Sequence, residues 1–122
     1  MKLWNPKRSL RAPARDPVPD VAPGDLKSRL DRGDRILLLD VREPHEFRTG
    51  HLPGATSVPL GELPKHLGEL DRDGEIVAYC RSGGRSARAA RLLSDAGFRR
   101  VHNLAGGLLA WSEEVGPILR KA

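Results

Sequence analysis

Three apolar runs stand out along an otherwise polar chain. Ile36-Leu37-Leu38-Leu39-Asp40-Val41 is almost continuously apolar. A run of that length predicts a strand buried on both faces of a parallel sheet. Ile76-Val77-Ala78-Tyr79 lies in a second predicted strand over residues 75–79, and residues 101–104 give a third. Helical spacing appears between them. Ala89, Leu92, Leu93 and Ala96 fall at i, i+3, i+4 and i+7, which predicts a helix over about 85–96 with Arg88, Arg91 and Asp95 on its other side. Gly97 is its stop signal. Leu26 and Leu30 make a second stripe, in a helix that opens at Pro23 and ends near Gly33.

Weaker patterns fill the intervals. Residues 43–48 predict a short helical turn, and residues 49–55 a loop punctuated by Gly50, Pro53 and Gly54. Residues 56–59 read as a short strand, 62–70 as a short helix despite Pro64, and 71–74 as a turn. A last helix is expected over 108–114, before Gly116-Pro117. Strands alternating with helices imply an α/β domain with a parallel sheet and right-handed crossovers.

Composition narrows the class. The 122 residues suffice for one core and are too few for two. With 39% hydrophobic and 30% charged residues, the chain is expected to be soluble and globular, and no apolar run approaches a membrane span. The formal charge is +5, of which residues 1–16 supply +4 through Lys2, Lys7, Arg8, Arg11 and Arg15 against Asp16. Basicity therefore describes the tail. Residues 1–17 read as a basic, proline-rich arm and residues 18–122 as the domain. The arm has no apolar segment of a secretory signal, and Pro6, Pro13 and Pro17 would break a transit-peptide helix. Its one aromatic residue, Trp4, gives little reason to expect nucleic acid or membrane as a partner.

The candidate chemistry sits at Cys80-Arg81-Ser82-Gly83-Gly84-Arg85-Ser86, which holds the only cysteine. A predicted strand leads in and a predicted helix leads out. That junction, at the carboxyl end of a strand, is where open α/β sheets bind ligands. Gly83 and Gly84 allow the backbone to curl so that N–H groups point inward as an anion nest. Arg81, Arg85 and the helix start add positive charge. A free thiol, with a pKa of about 8.5, is roughly 3% thiolate at pH 7. A helix N-terminus is worth about 0.3–2 kcal/mol to a nearby anion, enough to lower that pKa by up to about 1.5. A reactive thiolate near neutral pH is the expectation. The competing reading is an inert, buried core cysteine. A lone cysteine forms no internal disulfide and suits a reducing compartment, so a cytoplasmic location is expected.

Four segments then occur in an order that resembles the rhodanese-like sulfurtransferases. They are Asp40-Val41-Arg42-Glu43, Gly50-His51-Leu52-Pro53-Gly54-Ala55, the Cys80 loop, and Asn103-Leu104-Ala105-Gly106-Gly107-Leu108-Leu109-Ala110-Trp111. The resemblance covers roughly residues 18–114, and the first sixteen residues lie outside it. It implies a single-domain rhodanese-like fold, a five-stranded parallel sheet sandwiched between helices, with a first short strand over 18–21. It also implies an enzyme, a thiosulfate sulfurtransferase. Cys80 would take a sulfane sulfur from a small anionic donor such as thiosulfate, hold it as a persulfide, and give it to cyanide, a thiol or a protein. In that scheme the amides of residues 81–86 stabilise the sulfur anions, Arg81 and Arg85 attract the donor, Arg85 also fixes the loop, and Ser82 and Ser86 hydrogen-bond the sulfur. Asp40 and Arg42 brace the loop. Neither a metal nor an organic cofactor is implied.

Two other readings remain open. One is a cysteine-dependent phosphatase or arsenate reductase, which in related folds uses a Cys-x5-Arg loop. Here only four residues, Arg81 to Gly84, separate Cys80 from Arg85, a ring better sized for one sulfur atom than for a tetrahedral phosphate. The other is a catalytically silent rhodanese-like interaction module, against which the cysteine and its complete loop argue. His45, His51, His66 and His102 lack metal-ligand spacing, Gly106-Gly107 lacks the rest of a phosphate-loop fingerprint, and Trp111 reads as core.

Overall fold

A computed structural model describes residues 17–118. The elements in chain order are β1 (Asp20–Val21), α1 (Pro23–Asp31), β2 (Ile36–Asp40), α2 (Pro44–Thr49), β3 (Thr56–Ser57), α3 (Leu63–His66), β4 (Glu75–Tyr79), α4 (Gly84–Asp95), β5 (Val101–Leu104) and α5 (Gly107–Glu114). The strands form one five-stranded sheet in the order β1-β5-β4-β2-β3, and every pairing is parallel.

Period-2 alternation in the central strand makes two cores. Ile76, Ala78 and Cys80 face one side, with Leu39, Leu63, Ala89, Ala90 and Leu93. Val77 and Tyr79 face the other, with Leu26, Leu38, Leu108 and Trp111. Helices α3 and α4 thus cover one face and α1 and α5 the other. The expected α/β architecture, a parallel sheet between helices, is what the chain forms. From β2 the chain moves outward to β3, then crosses back to β4 and on to β5. The order reverses between β2 and β4, so the crevice of an open sheet lies beyond their carboxyl ends.

Several expected boundaries shift, each for a backbone reason. The first strand is Asp20–Val21 rather than 18–21, because Pro19 has no N–H, though its carbonyl still accepts from Asn103 N at 3.0 Å. The third is Thr56–Ser57 rather than 56–59, because Val58 N donates to Asp40 O and Leu60 N to Val41 O, an advance of two residues against one that breaks the register. Residues 62–70 do not form one helix. A four-residue α-turn, Leu63–His66, lies between single 3-10 turns at Leu60–Glu62 and Leu67–Glu69. Gly61, Pro64 and Gly68 punctuate this stretch. The face of α4 is also wider than its predicted stripe, since Ser86 and Ala90 are buried beside Ala89 and Leu93. Among the described residues no helix is long and apolar enough to cross a membrane. The basic arm lies almost wholly outside the described residues.

Candidate active site

The loop after β4 wraps the sulfur of Cys80. Gly83 N donates to Sγ at 3.1 Å and Ser86 N at 3.4 Å, and Ser86 Oγ lies 3.4 Å away. Gly83 makes the turn possible. It caps α4 with φ +110°, a left-handed conformation that L side chains rarely adopt. Gly84 does not share that role. It is the first residue of α4, and a Cβ there would meet open space. Only one of the two glycines expected to curl the loop is needed for it.

Cys80 is 1% exposed. Burial pushes its thiol up, yet the hydroxyl and amide of Ser86 and the amides of Gly83 and Ser82 pull it down and prevail. The net is a thiol below its ordinary value, as expected, but with hydrogen bonds to the sulfur as the main downward cause. The cysteine is therefore buried and yet held below its ordinary thiol value, two properties that the sequence set against each other.

The arginines divide. Arg81 is exposed and has no ion-pair partner among the described residues. Arg85, expected both to attract the donor and to fix the loop, is committed to Glu46 of α2 through contacts of 2.7 and 3.0 Å. Glu46 also closes a capping box, accepting from Glu43 N at 2.9 Å. The Arg85 guanidinium holds the Glu46 carboxyl down at about 2. The pair clasps α2 to the first turn of α4. Nothing in the local pattern of residues 43–48 marked Glu46.

Asp40 and Arg42 form a buried ion pair at the end of β2, with Arg42 Nη2 to Asp40 Oδ2 at 2.7 Å. The same Nη2 donates to Gly50 O at 2.8 Å. Tyr79 OH accepts from Leu52 N at 3.1 Å. These groups brace the loop over 49–55, and the hydrogen bonds of Arg42 go to Asp40 and Gly50 rather than to the Cys80 loop it was expected to brace. His51 stacks on Phe47 with ring centroids 3.6 Å apart, a structural place in that turn.

Two contributions from the C-terminal motif escaped the residue-by-residue reading. Leu108 N donates to Cys80 O and Leu109 N to Arg81 O, each at 3.0 Å, so the start of α5 grips the loop's first two carbonyls. The approach needs Gly107. A Cβ there would lie 2.5 Å from Arg81 O and 2.6 Å from Cys80 O, and its φ is +63°. Asn103 of β5 is the other contribution, 2.5 Å from Ser86 Oγ through its Oδ1. Trp111 is buried as expected. Among the described residues no group of three or more His, Cys, Asp or Glu could hold a metal ion.

A strand-end cysteine in a nest of amides, on a five-stranded parallel sheet, is the arrangement of a known family, and a family model described as "Rhodanese-like domain" matches residues 22–114. The chain belongs to the rhodanese-like domain family. It is 37% identical over 102 residues to a protein named sulfurtransferase from Allochromatium vinosum, covering 84% of this chain and 95% of that one. A putative sulfur carrier protein of Bacillus subtilis is 37% identical over 95 residues, but this rhodanese-like chain spans only 51% of its length. Among solved structures, a rhodanese-related protein from Thermoplasma volcanium superposes with a TM-score of 0.75 at 31% identity, covering 83% of this chain and 97% of that one. These relatives support sulfur transfer as the general activity of the rhodanese-like domain.

Proposed function

We propose that Cys80 carries the transferred sulfur as a persulfide, taken from a small anionic donor such as thiosulfate. The observation that carries this reading is the convergence of the Gly83 and Ser86 amides on a sulfur that is otherwise sealed from solvent. Fixed N–H groups stabilise negative sulfur without reorganisation. In the first half-reaction the Cys80 thiolate attacks the outer sulfur of thiosulfate. The Cys80 S–S bond forms, the donor's S–S bond breaks, and its electron pair leaves on sulfite. In the second, a thiophilic acceptor attacks the outer sulfur of the persulfide. That sulfur leaves with the acceptor, and the Cys80 S–S electron pair returns to the thiolate. Cyanide serves as acceptor in an assay, and a thiol or a protein in the cell. Such covalent catalysis predicts ping-pong kinetics.

Arg81 is the exposed cation beside the loop and draws anionic donors toward it, whereas the charge of Arg85 is balanced by Glu46. A relative named as a putative sulfur carrier supports a protein as acceptor. The free thiol suits a reducing compartment such as the cytoplasm. The test is intact mass after thiosulfate. A rise of about 32 Da (one sulfur) is expected in the wild type and none in Cys80→Ser. A Cys80→Ser variant that still transfers sulfur to cyanide overturns the assignment, as does efficient aryl phosphate hydrolysis by the wild type.

A further inference from the structure

Ser86 has one hydroxyl proton and three acceptors around it. Asn103 Oδ1 stands 2.5 Å from its Oγ, Gly83 O 3.3 Å and Cys80 Sγ 3.4 Å. The Asn103 amide is not free to turn its nitrogen to the hydroxyl. Its Nδ2 faces Gly83 O at 3.5 Å and Asp20 Oδ1 at 3.3 Å, and both are acceptors. Turning the amide would set oxygen against oxygen at both contacts. The neighbours therefore fix its orientation, and Oδ1 faces a hydroxyl that must donate to it.

We propose that Asn103 is a positioning residue that competes with Cys80 for the Ser86 hydroxyl proton, so that the hydroxyl holds the sulfur anion less strongly than it would alone and leaves it a stronger nucleophile. With a neutral thiol the chain of bonds is complete, since S–H donates to Ser86 Oγ and O–H donates to Asn103. On ionisation the sulfur becomes an acceptor and competes for the same hydroxyl proton. Whatever it gains from that proton is offset by the bond that Asn103 loses. The amides of Gly83 and Ser86 carry no such conflict, so they hold the anion undivided while the hydroxyl is shared. A thiolate whose donor is shared stays more basic, and thiolate nucleophilicity rises with basicity. The competition is sharp because Ser86 is 0% exposed, Cys80 1% and Asn103 7%, so bulk water is not at hand as a substitute partner. The sheet sets it up. Asn103 pairs in register with Ala78 on one side and Asp20 on the other, which aims its amide between the edge strand and the loop.

The inference rests on Cys80 being the reacting group, but its readout is the titration of that thiol rather than sulfur transfer, so the two can fail separately. The full chain has a single cysteine, so thiolate absorbance against pH, with Cys80→Ser as blank, reports Cys80 alone. Asn103→Ala is expected to lower the Cys80 pKa by about one unit, a tenfold rise in thiolate fraction at pH values below it. The same substitution in a Ser86→Ala background is expected to produce no such drop, and Asn103→Asp, which keeps an acceptor for the hydroxyl, is expected to produce none either. An unchanged or raised pKa in Asn103→Ala overturns the proposal. So does an equal drop in the Ser86→Ala background, which would show water entering the site instead of a proton being released. If Asn103→Ala does not fold, Asn103→Leu fills the space and reads the same quantity. Ser86→Ala alone supplies a further check: a rise of more than about one unit would show that the hydroxyl serves the sulfur in full, with no share lost to Asn103, and the proposal falls.

Discussion

Glu46→Gln isolates the clasp between α2 and α4. The substitution keeps an oxygen for the Glu43 amide, so the capping box loses little, but it removes the charge that faces Arg85. Arg85 pulls the Glu46 carboxyl from its ordinary 4.5 to about 2. Taken at face value, that difference is worth about 3 kcal/mol of folding free energy. The pair is not sealed, however. The guanidinium side chain is 34% exposed and the carboxylate side chain 23%, so solvent and salt screen it, and about 1 kcal/mol is the better expectation. The pH dependence follows from the direction of the shift. The folded carboxyl titrates lower than the unfolded one, so its contribution is fully present above about pH 4.5 and disappears as the pH falls toward about 2. Urea unfolding of wild type and Glu46→Gln across that interval measures it. The stability difference should be about 1 kcal/mol at pH 6 and should shrink toward zero by about pH 2, while Asp34 and Glu75 titrate equally in both proteins and cancel. A difference that stays constant down to pH 2 would show that Glu46 acts through packing, and the electrostatic account of the clasp would be wrong.

Three further outcomes are expected. Gly107→Ala should lower stability by at least about 2 kcal/mol in urea unfolding, because its Cβ meets the Cys80 and Arg81 carbonyls, whereas Gly84→Ala should change it by less than about 1 kcal/mol; equal effects would refute the close-approach argument. Arg42→Ala leaves the fully buried Asp40 carboxylate unpaired and should cost about 3–5 kcal/mol by the same measurement. Arg85→Ala should reduce thiosulfate kcat/KM at least about tenfold by releasing α2 from the loop, while deletion of residues 1–16 should change it by no more than about threefold; a truncation more damaging than Arg85→Ala at both low and physiological salt would place the arm in the active site.

What the sequence determined by itself was local. The apolar runs at 36–41 and 76–79, the helical stripe around Ala89 and Leu93, and the strand–cysteine–glycine–helix junction all depend on spacing within a few residues, and the structure keeps each of them. Pro19 and Gly68 altered element ends because a missing N–H or a flexible residue acts at a single position, which a periodic pattern averages over. The partners of the loop were of another kind. Glu46 meets Arg85 across 39 residues, and Asn103 meets Ser86 across 17. Which carboxylate neutralises which arginine depends on the strand order, since α2 follows β2 and α4 follows β4, and those two strands are neighbours. The same order decides why Arg85 is a clasp while Arg81, four residues earlier in the same loop, remains an exposed cation. It also brings Gly107 against the Cys80 carbonyl and places Asn103 beside the loop, because β5 lies next to β4. The chemistry of the cysteine, with the hydroxyl and amides that lower its thiol, was written into its own segment; the groups that hold its loop in place belong to strands and helices that only the parallel sheet brings alongside.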